Sequence, residues 1–331
     1  MDSVRCKQRK IRMIDLSIVI PLYNEEESLP ELKAWIDRVL EGRSYEVIFV
    51  DDGSRDDSWK IVSQLSQADP ARVVGIRMAR NYGKSAGLQL GFKAAQGRVV
   101  ITMDADLQDS PEEILELECK IIEDGFDLVS GWKKKRHDPL SKTIPTRLYN
   151  AATRWVSGIQ LNDFNCGLKA YRLEVVKAIE VQGEMHRYIP ILAKSAGFDR
   201  IGEQVVQHQA RKYGSSKFGL ERFINGFLDL MTIGFMSRFS RKPMHFFGAL
   251  GIVMFLASLA GFSWIAVGKL ISIWEGNPSR NITEISAFYV SLTGMVIGVQ
   301  FFLTGFLAEM TSRNDMKRHD YQVAEHIERS E

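Results

Sequence analysis

Residues 99–108 read Val99-Val-Ile-Thr-Met-Asp-Ala-Asp-Leu-Gln108, a β-branched apolar run that ends in two acids one residue apart. The run predicts a buried strand. Alternate residues of an extended chain point to the same side, so Asp104 and Asp106 would face one ligand if the extension continues through them. Gln108 could add a neutral oxygen. We expect these three side chains to bind Mg²⁺ or Mn²⁺, which prefer oxygen ligands and usually bridge to substrate phosphates. A solvated acidic turn that caps the next helix is the alternative.

Strand-like and helix-like segments alternate on both sides of this run. Predicted strands cover Leu16–Ile20, Glu46–Val50, Arg72–Arg77, Val99–Met103, Asp127–Ser130 and Ile201–His208. Predicted helices cover Ser28–Leu40, Asp56–Gln67, Asn81–Ala95, Pro111–Glu123, Leu148–Ser157 and Glu174–Ile179. The alternation predicts an α/β fold, a Rossmann-like and mostly parallel sheet covered on both faces. Ligands of such sheets bind beyond the carboxyl ends of the strands.

The segments that follow the first two predicted strands also carry polar groups, in Pro21-Leu-Tyr-Asn-Glu25 and Asp51-Asp-Gly-Ser54. Tyr23 could stack on a base and Glu25 could bind a ribose. One carboxylate of the second segment could accept the N–H of a base or a ribose hydroxyl, next to a glycine that permits close backbone approach. Each segment could instead be a turn that starts a helix. Three acidic strand ends in succession favour a shared ligand.

The composition excludes some classes of protein. The 331 residues contain 43 Lys and Arg against 41 Asp and Glu, a net charge of +2, so a basic nucleic-acid binder is not expected. Three cysteines without a CxxC pair predict neither a disulfide framework nor a zinc site, and they fit a reducing compartment. Residues 1–13 form a basic extension in which no secretory signal peptide is visible.

Two apolar runs, Met244–Gly268 and Ser286–Ala308, contain no charged residue, and each exceeds the roughly 20 residues that cross a bilayer as a helix. Cations precede the first run and follow the second, so the positive-inside rule places the α/β domain and both termini in the cytoplasm. Two buried core helices are the alternative. In residues 219–243 apolar residues recur at helical spacing, with Arg222, Arg238 and Arg241 among or after them, which predicts amphipathic interfacial helices. Residues 309–331 are expected to be a cytoplasmic tail.

Five motifs occur in the order of one known family. They are Pro21-Leu-Tyr-Asn-Glu25, Val50-Asp-Asp-Gly-Ser54, Arg80-Asn-Tyr-Gly-Lys84, Asp104-Ala-Asp-Leu-Gln108 and Arg211-x-x-Gly-x-Ser-Lys217. Residues 14–218 thereby resemble a family 2 glycosyltransferase with the GT-A fold, of the polyprenyl-phosphate branch that includes dolichyl-phosphate-mannose-synthase-like enzymes. The two apolar runs at 244–308 resemble the small bacterial GtrB-type members of that branch.

The resemblance implies roles for individual residues. Those expected to bind the nucleotide sugar or the lipid phosphate are Pro21, Tyr23, Glu25, Asp51, Asp52, Lys84, Arg136, Arg211 and Lys217. Asp104, Asp106 and Gln108 are expected to hold the metal and the diphosphate, which makes Asp106 a catalytic residue. Asp163 matches the position usually assigned to the acceptor-side base. A lipid phosphate monoester has a second pKa of about 6 and needs little deprotonation, so Asp163 is either a base or an orienting group.

The activity implied is inverting transfer of a hexose to undecaprenyl phosphate, with UDP-glucose as the first guess for the donor. GDP-mannose and UDP-N-acetyl sugars stay open. Related small enzymes indicate a homo-oligomer, with a tetramer as its expected size. A polysaccharide synthase is the other alternative, but its Gln-x-x-Arg-Trp motif is incomplete because Ala151 stands three residues before Arg154.

Overall fold

The computed structural model describes residues 14–134, 150–155, 157–209, 243–276, 281–314 and 323–327. These residues form two compact units. One is an α/β unit built from the described residues up to 209 together with 323–327. The other contains two long apolar helices. The predicted sites Arg136, Arg211 and Lys217 lie outside the described residues, as does all but the last residue of the predicted interfacial segment.

The α/β unit is built on one sheet of eight strands. The strands are β1 (Leu16–Leu22), β2 (Tyr45–Asp51), β3 (Val73–Met78), β4 (Val99–Thr102), β5 (Leu128–Trp132), β6 (Lys169–Arg172), β7 (Ile201–Val205) and β8 (Val323–Ile327). Their order is β7-β5-β6-β4-β1-β2-β3-β8. The block β4-β1-β2-β3 is parallel, as is the pair β5-β7, whereas β6 and β8 run antiparallel to their neighbours.

Helices cover both faces of this sheet. They are α1 (Leu29–Val39), α2 (Ser58–Ala68), α3 (Lys84–Ala94), α4 (Ile114–Ile122), α5 (Leu173–Ala178) and α6 (Ile189–Ser195), with 3₁₀ turns at Pro111–Glu113 and Met185–Arg187. In β1, Ile18 and Ile20 pack into the core cluster that contains Leu32 of α1. Val19 points to the opposite face and packs into the cluster with Phe92 of α3. Because both faces are buried, the strand is apolar throughout, and each such side chain contributes about 1.5–3 kcal/mol.

The ends of two strands differ from the prediction. β1 continues through Pro21 to Leu22 rather than ending at Ile20. Its pairing with β4 ends at Val19, so Pro21 lies where β1 is paired on one side only and a missing N–H can be tolerated. β4 ends at Thr102, and residues 105–107 form a turn. The sequence also does not predict β6, β8 or α6.

The second unit is a hairpin of α7 (Pro243–Trp274) and α8 (Ser286–Asn314). Residues 244–274 and 286–310 are long and apolar enough to cross a membrane by length and composition. The helices approach closely at glycines: a Cβ on Gly251 would lie 2.6 Å from the carbonyl oxygen of Gly298. A GxxxG pair at Gly294 and Gly298 therefore serves packing within the hairpin.

Candidate active site

Two loops at the carboxyl edge of the sheet are joined into one wall. We call residues 23–28, which follow β1, and residues 51–58, which begin at the last residue of β2, the donor loops, after the role that the sequence predicts for them. Asn24 N–H donates to Ser54 Oγ at 2.9 Å, and Arg55 N–H donates to Asn24 Oδ1 at 2.9 Å. Glu25 N–H donates to Ser58 Oγ at 2.9 Å. Asn24 adopts a φ of +55°, a left-handed conformation that asparagine tolerates better than most residues. The backbone of each loop is thus held by side chains of the other.

The two acids of the second donor loop bind backbone groups. Asp51 is fully buried and its Oδ1 accepts the N–H of Ser54 at 2.9 Å. Asp52 accepts the N–H groups of Tyr82 and Gly83 at 2.7 and 2.9 Å. Burial raises the pKa of both carboxyls, and these hydrogen bonds act in the opposite direction. Asp51 therefore stabilises its own loop through the hydrogen bond from Ser54, and Asp52 connects this loop to the loop before α3.

Gly53 makes that junction possible. Its φ is +71°, and a Cβ there would lie 2.7 Å from the carbonyl carbon of Arg80. Only glycine fits such a close approach of two backbones. The sequence predicts close approach of a ligand at Gly53, which stays a prediction, and it does not predict that the loop leading into α3 lies against this glycine.

Pro21, Tyr23 and Glu25 lie at the end of β1 and in the loop after it. Pro21 lines a cavity that is described below. Tyr23 is 39% exposed, so its ring is available for stacking. The side chain of Glu25 accepts a long hydrogen bond from Ser28 Oγ at 3.4 Å. These placements agree with the predicted nucleotide side of the site, which stays a prediction.

Asp104 lies at the centre of the site. It forms an ion pair with Lys84 at the start of α3. Its carboxylate rests against Gly167, where a Cβ would lie 2.6 Å from Oδ2. Burial acts to raise its pKa, but Lys84, followed by Lys133 and Lys169, outweighs burial and lowers the pKa to about 2. Asp104 is therefore a carboxylate at neutral pH.

Asp106 comes from the turn rather than from the strand. Leu107 has a φ of +58°, and Gln108 N–H donates to Asp106 Oδ1 at 3.2 Å. The prediction required an extended chain through both acids, and this is wrong because the chain turns at residues 105–107. The turn, not the strand period, presents the two carboxylates. Asp106 is 8% exposed, so a small part of its side chain remains accessible.

The carboxylates of Asp104 and Asp106 could hold a metal ion that a substrate also binds. In the described ranges, no three or more His, Cys, Asp or Glu residues group into a metal-binding cluster. Asp104 and Asp106 supply carboxylate oxygens, and Mg²⁺ is commonly held by one or two carboxylates with substrate phosphates completing its shell. Among the described residues, these donors fit a cation that binds together with a diphosphate.

A buried ion pair lies next to these acids and was not predicted. Asp109 is 1% exposed, and its Oδ1 lies 2.6 Å from Lys133 Nζ. Burial raises the pKa of Asp109, with Lys133 opposing. The structure thus pairs Lys133 with a buried acid. Nothing in the sequence distinguishes Asp109 from an ordinary turn residue.

Asp163 is enclosed. It is 1% exposed, and its Oδ1 accepts the N–H of Asn165 at 3.1 Å. Glu203 of β7 holds the preceding backbone by accepting the N–H groups of Asn162 and Asp163 at 2.7 and 3.0 Å. Burial raises the pKa of Glu203. This geometry favours an orienting role for Asp163 over a base that must meet the acceptor.

A cavity of about 20 Å³, which we call the cationic cavity, opens beside Asp104 and is large enough for about one water. Among the residues that line it are Pro21, Lys84, Asp104, Lys169, His186 and Arg187. Three cations surround one acid, so the cavity favours an anion. His186 Nδ1 lies 3.2 Å from Ser85 Oγ, and burial, with Lys84 and Arg187, lowers the pKa of His186 to about 3. His186 is therefore neutral at physiological pH.

Sequence reasoning missed His186 and Arg187 and left Lys169 without a role. Lys169 is buried and donates to the carbonyl oxygen of Cys166. Burial lowers its pKa. The available signal was its place in the segment that carries Asp163. Cys166 is buried beside it, and burial raises the pKa of its thiol to about 12, which agrees with a packing role.

A family profile and two relatives identify similar proteins, and all three names describe sugar transfer or synthesis of a polyprenyl-phosphate sugar. The profile of Glycosyl transferase family 2 matches residues 17–179. The chain is 33% identical over 320 residues to a dodecaprenyl-phosphate galacturonate synthase of Rhizobium johnstonii, covering 95% of this chain and 92% of the relative. It is 35% identical over 322 residues to an undecaprenyl-phosphate 4-deoxy-4-formamido-L-arabinose transferase of Pseudomonas syringae, covering 95% and 91%.

Solved structures show the same fold. Glucosyl-3-phosphoglycerate synthase from Mycobacterium tuberculosis, in complex with UDP, aligns with a TM-score of 0.52 and 20% identity over 68% of this chain and 80% of that protein. The same enzyme has been crystallised with Mn²⁺, UDP and glucosyl-3-phosphoglycerate. At this identity the likeness supports the fold alone. Together the comparisons confirm the GT-A fold and the family resemblance that the five motifs indicate.

Proposed function

Because the chain belongs to glycosyltransferase family 2, we propose that it transfers a hexose from a nucleotide sugar to a polyprenyl phosphate and inverts the anomeric carbon. One observation carries the proposal. Asp104 lies just beyond the carboxyl end of β4 and lines a cavity with Lys84, Lys169 and Arg187, and Asp106 follows two residues later in the chain. Acids that can share a cation with a diphosphate thus stand next to cations that can bind a second phosphate.

The donor would bind across the donor loops and the Asp104 turn. Tyr23 is exposed enough to stack on the base, and Glu25 and Asp52 lie on the joined loops that would meet the nucleoside. Lys84 holds Asp104 by an ion pair and stands at the first residue of α3, where the helix dipole also favours negative charge. The resident cation would neutralise charge that develops on the departing diphosphate.

The transfer itself is a single displacement. An oxygen of the lipid phosphate forms a bond to C1 of the sugar. The bond between C1 and the donor's diphosphate oxygen breaks, and the nucleoside diphosphate leaves with the bonding electrons. With a second pKa of about 6, the lipid phosphate is largely a dianion at neutral pH and needs no proton removed. Asp163 would therefore orient the acceptor side of the site, in agreement with its enclosed carboxylate.

The membrane supplies the acceptor. The helices α7 and α8 would anchor the chain in the bacterial inner membrane, since both are long enough and apolar enough to span it. Cations flanking the two runs support a cytoplasmic α/β unit and cytoplasmic termini. A homo-oligomer, with a tetramer as its expected size, belongs to the same proposal.

UDP-glucose is the first candidate donor, as the resemblance implies, and GDP-mannose and UDP-N-acetyl sugars are alternatives. An anionic sugar is the second candidate, and two observations favour it. A relative at 33% identity is a galacturonate synthase. The cationic cavity carries Lys84, Lys169 and Arg187 against the single acid Asp104, so one cation could meet a sugar carboxylate.

A transfer assay tests the proposal. Detergent-purified protein is incubated with undecaprenyl phosphate and, separately, with each donor labelled in its sugar, and the lipid fraction is separated by thin-layer chromatography. We expect one donor to give a lipid-linked monosaccharide, and the matched-volume variant Asp106→Asn to give none. Transfer of no donor to the lipid would contradict the proposal. A product that carries a growing chain of sugars would indicate a polysaccharide synthase instead.

A further inference from the structure

The last described strand covers an outer edge of the sheet. β8 pairs antiparallel with β3, with Glu325 opposite Arg77 and Ile327 opposite Gly75. Ile327 packs against the hydrophobic core. An uncovered edge strand presents unpaired N–H and C=O groups, and β8 satisfies those of β3 along this stretch. The C-terminal segment is therefore part of the α/β unit.

Glu325 uses both carboxylate oxygens to hold side chains of that unit. Trp59 Nε1 donates to Oε2 at 2.8 Å, and Arg77 Nη1 donates to Oε1 at 3.3 Å. The guanidinium of Arg77 also lies 5.8 Å from the centre of the Trp59 ring, within range of a cation–π interaction. A carboxylate and an aromatic ring together restrict where the guanidinium can be.

The restricted guanidinium faces the second donor loop. Arg77 Nε lies 3.6 Å from Oδ2 of Asp51, which is fully buried. The other oxygen of Asp51 accepts the N–H of Ser54, and Ser54 Oγ accepts the N–H of Asn24. A buried carboxylate is costly unless a cation and hydrogen bonds compensate it. Moving Arg77 away would therefore loosen the turn that joins the two donor loops.

We propose that Glu325 and Arg77 are positioning residues for donor binding: the C-terminal strand holds Arg77 against Asp51 and so fixes the donor loops for a nucleoside diphosphate sugar. The ligand's identity rests on the proposed function, whereas the chain of contacts does not. Glu325 acts through Arg77, Asp51 and Ser54 rather than by touching the substrate.

Kinetics with three variants test this role. Glu325→Gln keeps the side-chain volume and removes the charge, Glu325→Asp keeps the charge, and Glu41→Gln changes an exposed glutamate on the turn after α1 as a matched control. We expect Glu325→Gln to raise the donor KM by about two- to fivefold, the range of an ion pair that is partly exposed, with kcat within about twofold. Glu325→Asp should recover much of this loss and Glu41→Gln should behave as wild type. A fall in kcat with unchanged donor KM overturns the proposal.

Amide hydrogen exchange provides a readout that does not depend on activity. Glu325→Gln should speed exchange at Asn24 and Ser54, whose N–H groups belong to the network, while Ile18 in the centre of the sheet keeps its protection. Glu41→Gln should change none of them. Unchanged exchange at Asn24 and Ser54 overturns the inference even if the enzyme transfers sugar. Faster exchange at both, in a protein that transfers none, supports the inference and contradicts the proposed function.

Discussion

The carboxylate of Asp104 lies directly against the backbone of Gly167, so that a Cβ on Gly167 would come within 2.6 Å of Asp104 Oδ2. The segment that carries Asp163 and the turn that carries the acids are therefore fitted to each other. Asp104 has room for its ion pair with Lys84 only because residue 167 has no side chain.

Gly167→Ala should displace Asp104 without unfolding the chain. A carboxylate cannot approach a methyl group this closely, so we expect the transfer rate to fall by about 10²-fold, as misplacement of a reacting group by about 1 Å can cause. The measurement is kcat/KM with saturating lipid acceptor. Gly183→Ala is the control, because a Cβ at Gly183 meets nothing within 4 Å although its positive φ imposes the greater backbone strain. Equal activity of both variants would contradict the claim.

Asp163→Asn tests whether that acid orients or abstracts. The amide keeps an oxygen that can accept the N–H of Asn165, so an orienting role predicts that at least about a tenth of the rate remains. A general base contributes about 10²–10⁴-fold, so its loss would be far larger. The measurement is single-turnover transfer at several pH values. A loss above 10³-fold, with donor and acceptor affinities unchanged, would identify Asp163 as a base.

The neutral His186 predicts a pH dependence of stability. Its pKa in the folded protein is lowered to about 3, mainly by burial, whereas an unfolded histidine titrates near 6.5. Between these values the unfolded state binds a proton that the folded state does not, so stability is full above about 6.5 and falls as the pH drops toward 3. From pH 6.5 to 5 the loss should be about 2 kcal/mol.

Thermal unfolding of the full chain at pH 7 and pH 5 measures this effect. His186→Gln keeps a hydrogen-bonding side chain toward Ser85 but cannot titrate, so its Tm should fall less than that of wild type between the two pH values. Asp104 affects stability in a separate pH range, from its ordinary pKa down to about 2, because its pKa in the folded protein is lowered. An identical pH dependence in wild type and variant would contradict the assignment.

The hairpin of apolar helices depends on close backbone contact. A Cβ on Gly298 would lie 2.8 Å from the carbonyl oxygen of Gly251, so Gly298→Val should separate the helices at a cost of about 1–3 kcal/mol and lower the yield of folded protein in detergent. Gly268→Val is the matched control, since a Cβ there meets nothing within 4 Å. Yield and Tm of the two variants make the comparison.

The strand and helix order of the first half of the chain could be predicted because each element carries a clear period. Ile18 and Ile20 alternate with Val19 along β1, and both faces are buried. β6 and β8 could not be predicted in this way. β6 contains Lys169 and Arg172 among four residues, and β8 lies in a charged segment, so neither shows the apolar run of a central strand. Backbone hydrogen bonds to strands that are distant in the chain stabilise β6 and β8, and such pairing cannot be predicted from their local sequence.

A local motif was enough to predict which acids lie at the sheet edge. Asp104 and Asp106 are predicted there from their place after a strand, and the structure places both just beyond β4, while their role stays a prediction. His186 and Arg187 were not predicted, because they reach the cationic cavity through a 3₁₀ turn about 80 residues away in the chain. The role of Asp52 as a tie to Tyr82 was also hidden, since it depends on which loops the sheet brings together.

The proposed function requires Asp104 and Asp106 to hold the donor diphosphate through a divalent cation. The most direct test is the affinity of the full-length protein for UDP and GDP, measured by titration calorimetry with Mn²⁺ and again in excess EDTA. We expect one nucleotide to bind at least about tenfold more tightly with Mn²⁺, and Asp106→Asn to abolish this difference while leaving metal-free binding unchanged. Equal affinity in Mn²⁺ and in EDTA, for wild type and variant alike, would contradict it.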